Sequence, residues 1–244
     1  MSRSEGLDKV AVLAGHFLLR DLPREDLDKL VAYARVVRHP AHRVLFHKGD
    51  PGDGMMAVIT GRVKIRCYSA DGKELVLNVI RQGELFGEIA LLDAKPRTAD
   101  AVTMEPCELL VLERRDFLPF LADRPAACLH LLSVLCARLR QTSQQLEDAL
   151  FLDLQPRLAR CLVRLAERFG KTVETGIQID VRLSQQELAA FVGMTRESVN
   201  KQLSIWRRDG VVGFSAGTVT IHDLAELRSL SGIDDDSGGG ADGP

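Results

Sequence analysis

Between about Val36 and Leu112, apolar positions come in short runs separated by Gly49, Gly52, Gly54, Gly61, Gly72, Gly83 and Gly87. Glycines at such intervals mark turns between strands. In one run Val63, Ile65 and Cys67 alternate with Lys64, Arg66 and Tyr68, the period of a half-buried strand. Asp71-Gly72 marks a hairpin turn after it. Short, evenly spaced strands predict a small antiparallel barrel or roll. From about Pro125 to Leu150 the period becomes helical. Leu129, Leu132, Cys136, Leu139, Leu146 and Leu150 fall at alternating a and d positions of a heptad, with Ser143 at the a position between Leu139 and Leu146. The predicted element is one long helix with a narrow apolar stripe. It reads either as a coiled-coil seam between two copies or as a helix packed on its own barrel. A stripe this narrow, sustained over more than three heptads, favours the seam.

Phe151–Leu154 reads as a hinge, with Asp153 as N-cap of a following helix and Pro156 tolerated in its first turn. Ser184-Gln185-Gln186-Glu187 is a capping box that opens a short helix, Gln185–Val192, and Gly193 makes a turn. Thr195 caps a second helix, from Arg196 to about Asp209, that stops at Gly210. Two short helices joined through a glycine match a helix-turn-helix. Val211–Phe214 and Thr218–Ile221, joined around Ala216-Gly217, read as a hairpin wing. Asp234–Pro244 is acidic, Gly-rich and without large apolar residues, so it is expected to be disordered. There is no internal repeat.

Composition narrows this picture. The 244 residues, 45% hydrophobic and 27% charged, suffice for two modest cores. The net charge of -2 gives no bulk attraction to nucleic acid, so any basic patch must be local. Residues 154–230 do carry eleven Lys/Arg against eight Asp/Glu. Five cysteines form no C-x-x-C pair, which points to a reducing compartment and away from a disulfide framework or structural zinc. The uncharged run Val10–Leu19 imitates a signal peptide, but His16 interrupts it and Arg20 and Asp21 end it without a cleavage-type site. No stretch approaches the roughly 20 apolar residues of a membrane span. A cytoplasmic protein without a membrane partner is expected. No nucleophile–base constellation or metal-ligand spacing appears, so neither an enzyme nor a metal site is expected.

The segment from Phe86 to Ala99, FGEIALLDAKPRTA, carries the most chemistry. Gly87 lets the backbone approach an anion. Residues 89–92, beginning with Ile89 and Ala90, suit one helical turn whose N-terminus faces that anion. Arg97 offers a planar fork for two phosphate oxygens, Thr98 adds a hydroxyl and an N–H, and Glu88 can accept from a sugar hydroxyl. The segment resembles, without gaps, the phosphate-binding cassette of cyclic-nucleotide-binding domains. The resemblance implies that Glu88 takes the ribose hydroxyl and that Arg97 and Thr98 take the cyclic phosphate.

The chain as a whole is similar to the cAMP receptor protein/FNR family of bacterial transcription regulators. Residues 139–143, LRQTS, and the later Phe151-Leu152-Asp153 match that family's helix and hinge. The match implies that Thr142 contacts the base in its own protomer and Ser143 the base across a dimer. Arg138 matches a position near the acidic ribose ligand, although an exposed helical Arg is also simply solvated. Residues 183–210 resemble the family's helix-turn-helix, with Arg196, Glu197 and Lys201 at base-reading positions. Ser184, Gln185, Gln186, Thr195 and Ser198 are expected at or near the DNA, with Thr195 and Ser198 suited to phosphates.

The expected class is α+β: a β-roll for cyclic nucleotide with an N-terminal helix (1–124), a dimerisation helix and hinge (125–152), a winged helix-turn-helix (153–230) and a tail (231–244). The resemblance implies a homodimer switched by cAMP or cGMP, double-stranded DNA with TGTGA-like half-sites, and RNA polymerase as a partner. Lys201 stands where Arg is found in the cAMP receptor, which loosens the expected half-site. Three rivals remain: a ligand-independent or differently liganded regulator, a cyclic-nucleotide module working through protein contacts alone, and a haem- or iron–sulfur-bearing relative. The last lacks an N-terminal cysteine cluster, since the first cysteine is Cys67.

Overall fold

The computed structural model describes residues 23–232. The leader run Val10–Leu19 and the tail Asp234–Pro244 lie outside the described residues. The chain divides into two compact units. One takes the described residues up to Ser69 together with Val76–Thr142. The other takes Ala70–Leu75 and the described chain from Ser143. Together they form the α+β architecture of a β-rich roll, a long helix and a helix-turn-helix unit.

The roll begins with helix α1 (Arg24–Tyr33) and strands β1 (Arg35–His39), β2 (Val44–Phe46), β3 (Gly54–Thr60), β4 (Val63–Tyr68), β5 (Glu74–Ile80) and β6 (Leu85–Phe86). After the one-and-a-half-turn helix α2 (Glu88–Asp93) come β7 (Asp100–Thr103), β8 (Cys107–Glu113), α3 (Arg114–Ala122) and the long α4 (Pro125–Phe151). Two four-stranded sheets result, in the orders β1-β8-β3-β6 and β2-β7-β4-β5. Val58, Phe86 and Leu109 of the first meet Val63, Ile80 and Ala101 of the second in one core. The other face of the first sheet, with Met55, Ala57, Leu110 and Leu112, packs under Leu30, Leu91, Phe117 and Leu131 of the helices. Strand β8 is therefore apolar on both faces, which is why CELLVLE reads as a nearly continuous apolar run rather than an alternation. In β4 the expected alternation is blurred, with Val63 and Lys64 both buried. Its polar side faces ion pairs as well as water: Arg66 lies 3.9 Å from Asp100 and over the Tyr68 ring.

Along α4, Leu129, Leu132, Leu139, Leu146 and Leu150 all lie more than half exposed, at 66, 55, 67, 59 and 68%. The stripe read from the sequence is thus a solvent-facing row within the single chain. Among the described residues, no single helix is long and apolar enough to cross a membrane.

In the second unit, α5 (Leu154–Phe169) buries Leu158, Leu162, Leu165 and Phe169 along one face. Four strands follow the order β11-β12-β10-β9, with β9 Gly170–Val173, β10 Gly176–Ile179, β11 Val212–Ser215 and β12 Thr218–Ile221. Helices α6 (Gln185–Val192) and α7 (Arg196–Arg208) lie between β10 and β11 in the chain, and α8 (Leu224–Ser231) follows β12. The helix expected to reach about Asp209 ends at Arg208, with Asp209 as its C-cap.

Asp153 sits at the N-cap of α5 as expected, but among the described residues its side chain makes no capping bond. Arg157 secures the junction instead. Its guanidinium donates to the carbonyls of Ala149 at 2.8 Å, Leu152 at 2.6 Å and Val192 at 3.1 Å. Asp148, only 2% exposed, accepts from Arg160 at 2.7 Å and Gln144 at 3.2 Å on one oxygen and from Arg164 at 2.7 Å on the other. Desolvation pushes the Asp148 carboxyl up, but the bonds from Arg164, Arg160 and Gln144 together outweigh it and hold it below the ordinary carboxylate value.

A depressed folded-state pKa contributes stability that is complete above the unfolded value of about 3.9 and is lost as pH falls through the folded value. The second unit should therefore lose stability below about pH 4. Asp148→Ala, which takes the carboxylate from two half-buried guanidinium groups, should cost about 1–3 kcal/mol at neutral pH and flatten that acid dependence. Urea melts between pH 7 and pH 3 read both effects.

Candidate nucleotide pocket and nucleic-acid interface

In the first unit, β6, α2 and the chain leading to β7 border a half-open pocket of about 380 Å³, counting the part of it that is open to solvent. Its lining includes Phe46, Ile65, Phe86, Gly87, Glu88, Ile89, Ala90, Arg97, Thr98 and Arg138. Gly87 is the N-cap of α2 and adopts φ 81°, a left-handed conformation that suits glycine. A Cβ there would also lie 2.7 Å from Arg97 Nη1. Its carbonyl accepts from that Nη1 at 2.7 Å, and the Gly54 carbonyl accepts from Arg97 Nη2 at 2.7 Å. The guanidinium lies 4.3 Å over the Phe46 ring. Backbone bonds hold the same residue, from Arg97 N to Asp50 O at 2.9 Å and from Gly49 N to Arg97 O at 2.8 Å.

Arg97 is thus a buried cation whose hydrogen-bonded partners are neutral carbonyls, with its Nε left unpartnered. Burial lowers its pKa from the ordinary arginine value, and the charges of Glu88, Asp53 and Asp50 counteract that. Glu88 is also buried; its Oε1 accepts from Arg138, whose other Nη donates to the Leu85 carbonyl. Glu88 Oε2 has no partner. A buried cation and a buried carboxylate, each with an orphaned polar atom and both lining one open pocket, fit a ligand with an anionic end and a hydroxyl-bearing end.

The pocket gathers seven of the sequence-predicted residues: Gly87, Glu88, Ile89, Ala90, Arg97, Thr98 and Arg138. Thr142 and Ser143 are outside its lining. Both are exposed, and the Thr142 hydroxyl donates back to the Arg138 carbonyl at 2.9 Å. Sequence reasoning missed Phe46 and the loop glycines as parts of the cradle. Gly52 and Gly54 read as turn residues, yet a Cβ on Gly52 would lie 2.3 Å from Ala90 Cβ and 3.0 Å from Arg97 Nε. Only the three closely spaced glycines at 49, 52 and 54 hinted at it.

In the second unit the capping box is complete. Ser184 Oγ accepts from Glu187 N at 3.1 Å and Glu187 Oε2 accepts from Ser184 N at 2.9 Å. Gly193, at φ 64°, makes the left-handed turn that ends α6. Thr195 Oγ1 accepts from Ser198 N at 3.2 Å and caps α7. Val199, Leu203 and Trp206 bury one face of α7, which leaves Arg196, Glu197 and Lys201 exposed near its start. Gln186 is exposed, while Gln185 and Ser198 are half-buried. Exposed donors and an acceptor on the first turns of such a helix can meet base edges in a major groove. Among the described residues, no group of three or more His, Cys, Asp or Glu side chains could hold a metal ion.

Two family models match the chain: the cyclic nucleotide-binding domain over residues 36–124 and the Crp-like helix-turn-helix domain over residues 156–230. The chain is 33% identical over 221 residues to a CRP-like cAMP-activated global transcriptional regulator of Mycobacterium tuberculosis, covering 91% of this chain and 98% of the relative. It is 31% identical to the cyclic AMP receptor protein of Thermus thermophilus, covering 90% and 98%. The solved structure of the c-di-GMP-responsive global regulator CLP of Xanthomonas campestris is similar with a TM-score of 0.74 and 27% identity, over 82% of this chain and all of that one.

The close approach at Gly52 makes it a sensitive position. Gly52→Val should destabilise the first unit by about 1–3 kcal/mol through overpacking. It should also raise amide hydrogen exchange over residues 87–98, while exchange in the second unit stays unchanged.

Proposed function

The chain belongs to the CRP/FNR family of DNA-binding transcription regulators, and we propose that it is a homodimer switched by a cyclic nucleotide, cAMP before cGMP. The observation that carries the nucleotide reading is that the buried Arg97, held by carbonyls, and the buried Glu88, with its Oε2 unpartnered, line one pocket. A cyclic phosphate would neutralise that cation and use the N–H and hydroxyl of Thr98. The ribose hydroxyl would donate to Glu88, and Arg138 would keep the carboxylate in place. Gly87, Ile89 and Ala90 would border the phosphate. Thr142 and Ser143 would contact the base, Thr142 in its own protomer and Ser143 across the dimer.

The exposed leucine row on α4 supports the dimer, because a second copy is the partner that buries an identical stripe. Within this reading, residues 1–124 sense the ligand, 125–152 dimerise and turn, 153–230 read DNA, and 231–244 form the tail. A ligand touching both helices of the seam would prefer one arrangement of them and so bias the hinge at 151–154. Arg196, Glu197 and Lys201 would read bases in TGTGA-like half-sites about 34 Å apart. Ser184, Gln185, Gln186, Thr195 and Ser198 would sit at or near the DNA, Thr195 and Ser198 at phosphates. The regulator would work in the cytoplasm with RNA polymerase as partner.

A second reading keeps the DNA function and changes the signal, since the Xanthomonas campestris relative is c-di-GMP-responsive. Calorimetric titration with cAMP, cGMP and c-di-GMP separates the two. Micromolar cAMP binding that weakens about 100-fold in Arg97→Leu supports the proposal. Binding of c-di-GMP alone would replace cAMP by that signal, and no binding would sink nucleotide control. Sedimentation should show a dimer that becomes monomeric in the double variant Leu139→Glu, Leu146→Glu. With a TGTGA-containing duplex, Glu197→Ala should lower discrimination against a mismatched half-site by roughly 5- to 100-fold.

A further inference from the structure

Asn200 is a polar side chain on the exposed row of α7 that the residues named so far leave out. It lies four residues after Arg196 and three after Glu197, beside Lys201 and one turn before Ser204, and all of these are exposed. Its carboxamide is held: Gln185 Nε2, from the first residue of α6, donates to Asn200 Oδ1 at 2.8 Å. The Ser204 hydroxyl donates to the Asn200 carbonyl at 2.8 Å, one turn further along.

A carboxamide bonded on one side to a neighbouring amide turns its remaining polar groups outward. Oδ1 keeps one lone pair, and the two Nδ2 hydrogens point away from Gln185. A donor and an acceptor are then presented side by side from an exposed helix face. Adenine offers the complementary pair in the major groove, N7 as acceptor and the N6 amino group as donor. Guanine offers N7 and O6, two acceptors, so the Asn200 oxygen would face another acceptor. The bond from Gln185 holds the amide in place; if both amides turn over, Asn200 Nδ2 donates to Gln185 Oε1 instead, and a donor and an acceptor are still presented outward.

We infer that Asn200 is a further base-reading residue, selective for adenine, and that Gln185 is a positioning residue that orients its amide. The inference rests on the DNA reading proposed above and adds one specified base pair to each half-site.

The test is selection of binding sites by the full-length protein from a randomised duplex library, with and without saturating cAMP, followed by sequencing. The wild type should enrich adenine at one position in each half-site. Asn200→Ala should flatten that position, with a loss of preference of roughly 5- to 100-fold, and leave the positions read by Arg196, Glu197 and Lys201 unchanged. Asn200→Asp, which keeps the size and the bond from Gln185 but can only accept, should replace adenine by cytosine, whose N4 donates. Gln185→Ala should keep adenine with weaker preference. A wild-type motif that survives Asn200→Ala and Asn200→Asp overturns the inference and leaves the DNA reading intact. So does a uniform loss at all positions, which would make Asn200 a staple between the two helices. A wild type that selects no motif sinks the DNA reading and this inference with it. Thermal melts of each variant identify any that fail to fold, and Asn200→Ser then replaces that one.

Discussion

Burying an arginine without a carboxylate on its fork is the constraint around which the first unit is arranged. Arg97 is largely withdrawn from water, and two backbone carbonyls, of Gly87 and Gly54, stand in for solvent. A Cβ on Gly87 would crowd the same guanidinium, and one on Gly54 would press on the Leu112 carbonyl of the neighbouring strand. Gly52 lacks a side chain for a related reason: a methyl group there would collide with Ala90. The Phe46 ring covers the cation from one side, and backbone bonds with Asp50 and Gly49 hold the chain at Arg97 itself. Elements far apart in sequence thus converge on one charge. An anion entering the pocket would meet a cation whose desolvation has already been offset by the fold.

The neighbouring carboxylate follows the same logic with opposite sign. Glu88 is buried at the first residue of α2, where the helix N-terminus favours negative charge. Arg138 neutralises one oxygen from the long helix α4. The ion pair therefore links the pocket floor to the helix that carries the exposed leucine row. Any ligand hydroxyl that competes for Glu88 acts on a residue of that helix directly.

The reading unit depends on local caps more than on long-range charge. Ser184, Glu187, Gly193 and Thr195 fix the ends of α6 and α7 through bonds spanning three residues or through backbone conformation. Packing of Val199, Leu203 and Trp206 then sets which side of α7 faces outward. Asp148 and its arginines join the end of α4 to α5, and Arg157 adds carbonyls from α4 and α6. Cys161 lies buried there, its thiol pushed up to about 11 by desolvation, which fits a packing role rather than a reactive one.

The sequence by itself determined the local features. The capping box, the glycine turn, the cassette from Phe86 to Ala99 and the leucine row on α4 are all short-range patterns, because caps, turns and helical faces are set by residues within a few positions of each other. The same locality explains what it could not determine. The Asp153 side chain looked like a cap, but the junction is held by Arg157, Arg160 and Arg164, whose partners depend on how helices pack. The alternation in β4 suggested one buried face, while on the other Lys64 is buried and Arg66 lies beside Asp100. Phe46 lines the pocket, and Gly52 and Gly54 lie against Arg97, only because β2, β3 and the loop between them fold onto that residue, some forty to fifty positions away. The link from Gln185 to Asn200 likewise spans two helices. Tertiary structure decided these, since which groups share a buried site depends on contacts that no local spacing encodes.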